Sequence, residues 1–242
     1  LYKNSGYCLE NFEKTWEKLK KNNDEIAWHP HLYFWDKDHE SWNQKIDDDS
    51  YTLNCLEEGY QAFDTFWSES PKSVHGGWGY QNNTTFKFYS DVGITSDCSA
   101  MPGHNTLNLG LHDKSDWYET KPMPYLISKT NYKYPATDIY DSTGVLEIPT
   151  SMGKSFLAGY LKVIRDQIKR GFYKPRGMIF KYQVPLMTLN YLLNKDLIKS
   201  AIQTSIELQT NYFLSYTHAD EFLPSTKKSK IIKYTYSLNN FF

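Results

Sequence analysis

Apolar positions in the first third of the chain predict helices alternating with short strands. Apolar residues at every third or fourth position predict a helix over Leu9–Lys21, and a second helix is predicted over Tyr51–Phe66. Two short apolar segments, Glu25–Trp28 and Lys72–Val74, are bounded by polar or glycine-rich turns and predict buried strands. This alternation favours βα units arranged around a parallel sheet.

The same pattern returns near the end of the chain. Leu197–Leu208 is amphipathic and predicts a helix, and Tyr212–Tyr216 predicts a strand that leads into Thr217. Between these regions, Lys114–Thr143 contains three prolines and predicts a long irregular excursion across the top of the domain. Because no repeat or linker interrupts the chain, we expect a single α/β domain over residues 1–242.

Charge and composition narrow the function classes. The chain has 242 residues, of which 27 are basic and 28 acidic, so it lacks the basic excess expected for nucleic-acid or anionic-membrane partners. No apolar run is long enough to span a bilayer. Three scattered cysteines favour a reducing compartment, so we expect a cytoplasmic location, or a periplasmic or secreted one if a signal peptide was removed.

Aromatic residues make up 17% of the chain and allow two interpretations. Buried aromatic mass is common in protein cores. The rings could equally line a carbohydrate cleft, where the apolar face of a sugar packs on a ring.

Chemically capable side chains follow the predicted strands, at the point where each strand ends. His29 and His31 follow the first strand, His75 the second, Asp97 a third, and His218 the last. In a parallel α/β barrel the carboxyl ends of the strands converge on one face and form the active site. The placement therefore predicts one shared site.

His29-Pro30-His31 is the sharpest local motif. In extended backbone, side chains two positions apart point to the same side, roughly 6–7 Å apart at Cα. Two imidazoles so placed are suited to binding one zinc, iron, cobalt or nickel ion. A polar loop with two unrelated histidines is the alternative interpretation.

A glycine turn carries the next candidates. His75-Gly76-Gly77-Trp78-Gly79-Tyr80 places Trp78 and Tyr80 where they could border a substrate cleft, or pack in the core. Asp97 could orient a catalytic base, contact substrate, or cap its own turn.

His218 stands beside Asp220 and Glu221. A carboxylate neighbour can hold an imidazole in one tautomer and raise its pKa, which suits a general acid. A solvated surface histidine is the alternative. Phosphate-binding glycine loops, dinucleotide-binding turns and serine nucleophile elbows are absent from the sequence, which disfavours nucleotide binding and serine-hydrolase chemistry.

The order of these clusters resembles the polysaccharide deacetylase family. Asp24-Glu25-Ile26-Ala27-Trp28-His29 is similar to its histidine motif, Val74–Trp78 stands where its arginine motif is found, Asp97-Cys98-Ser99 resembles its aspartate motif, and Thr217-His218 resembles its last motif. In this chain Tyr33 occupies the position of the family's second metal histidine, so we assign that role to His31. His75 replaces the arginine, and the family's Asp-Asp pair would lie upstream of Leu1.

The resemblance implies an irregular (β/α) barrel and a hydrolase that removes acetyl groups from the amino sugars of a cell-surface or secreted polysaccharide. It implies a divalent metal ion, expected to be zinc, on His29 and His31, with His218 as general acid. His75, Trp78, Tyr80 and Trp28 would then contact the sugar.

Two other functions stay open. A glycoside hydrolase would need two carboxylates across a cleft, for which Asp97 with Asp220 or Glu221 is the candidate pair. A non-catalytic carbohydrate-binding or scaffolding barrel would have lost the metal.

Overall fold

The structure is a computed structural model, and it describes residues 12–38, 40–45, 48–103, 115–154, 183–185 and 191–215. The chain divides into two compact units. The first comprises Leu1–Ala100, Asn105–Glu119 and Pro124–Ile148, and the second comprises Met101–His104, Thr120–Met123 and Pro149–Phe242. The prediction of a single domain stays a prediction.

Helices α1, Glu13–Lys21, and α2, Asp49–Trp67, match the two helices predicted in this region. Asp48 caps α2, because its carboxylate accepts a hydrogen bond from the Tyr51 amide at 2.9 Å. Ser68 ends the helix in the left-handed conformation.

An antiparallel hairpin lies between these two helices in the chain. It pairs β1, Tyr33–Asp36, with β2, Ser41–Gln44. The hairpin follows the His29-Pro30-His31 segment directly.

A four-stranded mixed sheet forms the centre of the first unit. Its order is β3, Ser73–Val74; β4, Ser96–Asp97; β6, Ser142–Glu147; and β5, Tyr125–Ser128. The first three strands are parallel, and β5 is antiparallel to β6. Across the described residues this sheet is open, so closure into a barrel stays a prediction.

The register aligns one row of residues across the parallel strands. Trp28 forms an isolated parallel bridge with Val74, Val74 pairs with Asp97, and Asp97 pairs with Glu147. Because side chains in one row of a parallel sheet point to the same face, neighbours in this row pack side by side. His29 and His75 each come one position later and form the start of the next row.

Trp28 lies in the core. It is 6% exposed, and its ring packs against Tyr60, Phe88 and Tyr89 at centroid distances of 6.0–6.4 Å. Gly59 leaves room for it, since a Cβ there would lie 3.1 Å from the indole. The structure places the Trp28 ring in the core, and the expected contact with sugar stays a prediction.

Helix α3, Asn83–Asp91, was not predicted. A capping box begins it, in which Asn82 and Thr85 exchange hydrogen bonds of 2.8 and 3.0 Å. The polar residues Asn82-Asn83-Thr84-Thr85 at its start do not predict a helix, although the buried face of the helix carries Phe86, Phe88 and Tyr89.

The predicted excursion over Lys114–Thr143 is also corrected, because it contains β5 and the first two residues of β6. In β5, Tyr125 and Ile127 are buried while Leu126 is exposed, which is the alternation of a half-buried strand.

The second unit contains a short hairpin and a helix. Strand β7, Met152–Lys154, pairs with β8, Gln183–Pro185, and β7 packs against helix α4, Tyr191–Glu207. The described part of the predicted strand Tyr212–Tyr216 is not a strand. Leu214 instead exchanges two hydrogen bonds with Ser151, both 2.9 Å. No helix in the described part of the chain is long and apolar enough to cross a membrane.

Candidate functional site

Three of the predicted site histidines meet where Trp28 and β3 end side by side. The ring centroids of His29 and His31 are 4.7 Å apart, and those of His29 and His75 are 5.2 Å apart. The sequence prediction that these strand ends share one site is consistent with this arrangement. We call His29, His31 and His75 the imidazole cluster.

Backbone pairing produces the cluster. The Trp28 amide donates to the Ser73 carbonyl and the His75 amide donates to the Trp28 carbonyl, both at 3.0 Å, so His29 and His75 become neighbours across two extended segments. The Gly77 amide donates to the Pro30 carbonyl at 2.7 Å and so fixes the segment between His29 and His31.

Gly77 also makes space for an imidazole. A Cβ at this position would lie 2.2 Å from Nδ1 of His31, so only glycine allows the His31 ring to occupy its observed place.

One hydrogen bond assigns the tautomer of His29. Its Nδ1 lies 2.6 Å from the His75 carbonyl oxygen. Since a carbonyl only accepts, Nδ1 of His29 carries the hydrogen, and Nε2 of the neutral ring carries the lone pair. The Nδ1 of His75 lies 3.3 Å from the Nδ1 of His29, and because that nitrogen of His29 carries its hydrogen, the Nδ1 of His75 is the acceptor. Neutral His75 then carries its own hydrogen on Nε2.

Two aromatic rings border the cluster. Tyr33 stacks on His31 at 4.6 Å, and Trp78 stands edge-on to Tyr33 at 5.1 Å and to His31 at 6.3 Å. Partial burial raises the pKa of Tyr33 to about 12, so its hydroxyl stays protonated at neutral pH. Sequence reasoning noted Tyr33 only as the replacement of a family histidine; its alternation with His29 and His31 at every second position is the signal that could have placed its ring in the site.

Trp78 adopts a backbone conformation that L-residues rarely take, with φ 56° and ψ 22°. It sits in a short 3-10 turn, Gly77–Gly79, which Trp117 holds by donating from Nε1 to the Gly79 carbonyl at 2.6 Å. Such strain of the order of 1–3 kcal/mol concentrates at ligand sites. Tyr80, by contrast, is 7% exposed and its hydroxyl accepts from the Asn82 amide group at 3.0 Å. A role for Tyr80 in substrate binding stays a prediction.

Asp97 is fully buried. Its Oδ2 accepts from the Ser99 amide at 3.1 Å, which is the turn cap weighed from the sequence, and a catalytic role for Asp97 stays a prediction. Its Oδ1 accepts from Ser99 Oγ at 2.6 Å and from Gln81 Nε2 at 3.0 Å.

Glu147, also fully buried, pairs with Asp97 in the register of β4 and β6. Sequence reasoning missed it. Thr143–Ile148 places small and apolar residues ahead of a single carboxylate and Pro149, so the strand-end rule applied to Asp97 would have found Glu147 too.

Cys98, next to Asp97, is not a nucleophile candidate. Burial and the charges of Asp97 and Glu25 raise its pKa to about 12, so the thiol stays protonated at neutral pH.

The cluster fits a metal ion in part. A metal-bound histidine usually donates its second ring N–H to a carbonyl or carboxylate, as His29 does. Among the described residues, however, no three His, Cys, Asp or Glu side chains gather in a way that could hold an ion. A catalytic zinc site has three protein ligands. His218, Asp220 and Glu221 lie outside the described residues.

No family model and no curated protein matches this chain. Two solved structures are similar in part. A candidate glycoside hydrolase/deacetylase from Parabacteroides distasonis is 15% identical, with a TM-score of 0.41 over 58% of this chain and 29% of that one. A candidate polysaccharide deacetylase from Mycobacterium smegmatis is 20% identical, with a TM-score of 0.37 over 60% and 38%. At TM-scores below 0.5, neither likeness bears on the function of this chain.

Proposed function

We propose that this chain is a metal-dependent hydrolase that removes acetyl groups from the amino sugars of a polysaccharide. The observation that carries the proposal is the meeting of His29, His31 and His75 at adjoining segment ends, beside the Tyr33 and Trp78 rings. Imidazoles supply metal ligands and hydrogen-bond donors, and aromatic rings suit the apolar faces of sugars.

His29, through Nε2, and His31 are the ligands that we assign to a divalent ion, zinc in our proposal. Its third protein ligand would come from residues outside the described ranges. Such an ion, when bound, polarises an acyl carbonyl and lowers the pKa of a bound water.

The protein groups have separate tasks in this mechanism. The His29 hydrogen bond to the His75 carbonyl orients its ring and fixes its tautomer. His75, with its hydrogen on Nε2, can donate to the acetyl oxygen. A general base, which would come from residues outside the described ranges, takes a proton from water, and the water oxygen adds to the acetyl carbon. The C–N bond then breaks to release acetate, and the leaving amine takes a proton, which we assign to His218 as general acid.

Acetate release tests the proposal. The purified chain is incubated with N-acetylglucosamine oligomers, and acetate, chain length and bound metal are measured for the wild type, for His29→Gln and for the control His112→Gln. His112 follows no predicted strand and stands beside Asp113 and Lys114, so the sequence predicts a surface position for it. Acetate release that depends on His29 but not on His112 is expected. Shortened oligomers without acetate would indicate the glycoside hydrolase, and binding without either product would indicate the scaffold.

The glycoside hydrolase alternative, with Asp97 and either Asp220 or Glu221 as its carboxyl pair, stays a prediction because Asp220 and Glu221 lie outside the described residues. Such enzymes place two carboxyl groups about 5–10 Å apart across a cleft. Asp97 and Glu147 instead lie next to each other with no exposed surface.

A further inference from the structure

The proposed mechanism leaves two buried carboxyl groups without a task. Asp97 and Glu147 are paired across β4 and β6, and both side chains are completely buried. An isolated buried charge is costly, and two adjacent carboxylates cannot both be ionised at little cost. One shared proton is the arrangement that relieves this cost.

The hydrogen-bond donors around the pair show which member carries the charge. Asp97 accepts three hydrogen bonds, from Gln81 Nε2 and from the amide and hydroxyl of Ser99. Glu147 accepts one, from the Ala100 amide to Oε1 at 3.0 Å. Its Oε2 is buried and accepts no hydrogen bond, while the Glu147 and Asp97 side chains interact through a hydrogen bond between them. The charge therefore belongs on Asp97 and the proton on Glu147 Oε2.

Ser99 links this pair to the imidazole cluster. Its hydroxyl donates to Asp97 and accepts from the Gly76 amide at 2.7 Å and from Gln81 at 3.0 Å, which uses its full hydrogen-bonding capacity. Gly76 stands between His75, whose carbonyl orients His29, and Gly77, whose amide holds Pro30.

We infer that Glu147 is a positioning residue of the site: as the protonated member of a pair with Asp97, it keeps the Asp97–Ser99–Gly76 connection that fixes the imidazole cluster. Its side chain is held away from solvent, so it acts through this connection and not on substrate. The burial of the pair and the charge of Asp97 hold the pKa of Glu147 well above its usual range. This inference depends on the proposed function only for its activity measurement.

Three variants separate the role of the proton from that of the side chain. Glu147→Gln keeps the shape and supplies a permanent N–H donor to Asp97. Glu147→Leu keeps similar bulk and removes the donor. Ser99→Ala leaves both carboxyl groups and breaks the connection to Gly76. Glu58→Gln, at an exposed position on α2, is the control.

Two measurements read the result without activity. Infrared spectroscopy at pH 7 detects the carbonyl band of a protonated carboxyl group, which should be present in the wild type and in Glu58→Gln and absent from Glu147→Gln. Imidazole ¹⁵N NMR reports the tautomers of His29 and His75. These tautomers should change in Glu147→Leu and Ser99→Ala and stay as in the wild type in Glu147→Gln.

Acetate release supplies the third readout. Misplacement by about 1 Å can cost roughly 100-fold in rate. We therefore expect kcat to fall about 10- to 100-fold in Glu147→Leu with KM almost unchanged, and we expect Glu147→Gln to keep the kcat of the wild type.

If the wild type releases no acetate, the proposed function fails while the spectroscopic tests still decide the inference. A wild type without the carboxyl band, or imidazole signals identical in all variants, would overturn it. If Glu147→Leu does not fold, Ser99→Ala and Glu147→Gln carry the same comparison.

Discussion

The imidazole cluster and the Asp97–Glu147 pair are built by the same sheet but differ in almost every physical property. Trp28, Val74, Asp97 and Glu147 form one row across the strands, and His29 and His75 begin the next. His29 is exposed and His75 partly so, whereas both carboxyl groups are completely buried. Residues one position apart along these strands therefore differ in exposure. The histidines can contact a ligand, whereas the carboxyl groups contact only other protein atoms.

The exposed residues are therefore suited to binding a ligand, and the buried residues to holding the exposed ones in place. Groups that bind a ligand must be exposed and carry a lone pair or a hydrogen-bond donor, as the ring of His29 does. Groups that hold a site in place use their capacity internally, as Asp97 and Ser99 do. Variants in the two rows should accordingly fail in different ways.

The largest effect is expected for His29→Ala. This change removes a proposed metal ligand and the hydrogen bond to the His75 carbonyl. Turnover should fall by at least roughly 10²-fold, since a ligand or acid–base group contributes on that scale, and stoichiometric metal should be lost. Stability should change by less than about 1 kcal/mol, because the side chain is exposed. Elemental analysis and urea unfolding check both expectations, and equal metal in wild type and variant would contradict the ligand assignment.

Gly77→Ala should come next. The added methyl would lie 2.2 Å from His31 Nδ1, and the ring is confined on its other side by Tyr33, with which it stacks at 4.6 Å. Displacing a packed ring costs about 1–3 kcal/mol of stability, and here the displaced ring belongs to the site. Chemical denaturation and acetate release should both show the loss.

Gly93→Ala is the matched control for that change. A methyl at Gly93 meets no atom within 4 Å, although its φ of 80° makes alanine strained there. It should lower stability by about 1 kcal/mol and leave turnover per folded molecule unchanged. If Gly93→Ala and Gly77→Ala lose turnover equally, the space at Gly77 is not specific to the site.

The two regions also differ in how far the sequence predicts them. The His29-Pro30-His31 spacing is local, so extended geometry alone brings two imidazoles to one side. The meeting of His75 with them could be predicted only from the general convergence of strand ends. The Asp97–Glu147 pair depends on a register between segments 50 positions apart (147 − 97), and β6 was hidden within a proline-containing region interpreted as irregular.

The helices and strands also differ in how far the sequence predicts them. Helices with clear apolar periodicity, such as α2, were predicted within two residues at each end. Helix α3 was missed because its signal is a cap: Asn82 and Thr85 satisfy its first amides, and its polar start gives no apolar period. The strand predicted at Tyr212 failed because aromatic and apolar composition was taken as sufficient, while Leu214 is held by two hydrogen bonds to a single residue, Ser151.

The pH dependence of stability should distinguish the buried pair from the exposed row. The folded pKa of Glu147 lies above its ordinary value of 4.5, so the folded protein retains a proton that the unfolded chain releases. The stabilisation is complete below that value and is lost as the pH rises through the folded pKa. Within this window the free energy of unfolding should fall by about 1.4 kcal/mol per pH unit from this group.

Glu147→Gln should remove that slope, whereas the exposed Glu58→Gln should leave it in place. Urea unfolding at a series of pH values from 4.5 upward measures the difference. A slope that persists in Glu147→Gln would mean that another group binds the proton.

The smallest effect is expected for Trp117→Phe, which acts on the turn between the two regions. Trp117 is fully buried, its ring packs edge-on against Tyr132 at 5.1 Å, and its N–H donates to the Gly79 carbonyl. Phenylalanine keeps an aromatic ring and removes one hydrogen bond, which costs about 1 kcal/mol. Because that bond holds the strained turn carrying Trp78, part of the loss should appear in sugar binding. KM should rise about two- to fivefold, the range allowed by up to ~1 kcal/mol, while kcat stays constant.

Exposed Trp35→Phe is the control for Trp117→Phe and should change neither KM nor kcat. A lower kcat at constant KM would instead mean that Trp117 holds the site in place, as Asp97 and Glu147 do. The Gly77–Gly79 turn would then belong to the supporting region and not to the sugar-binding one.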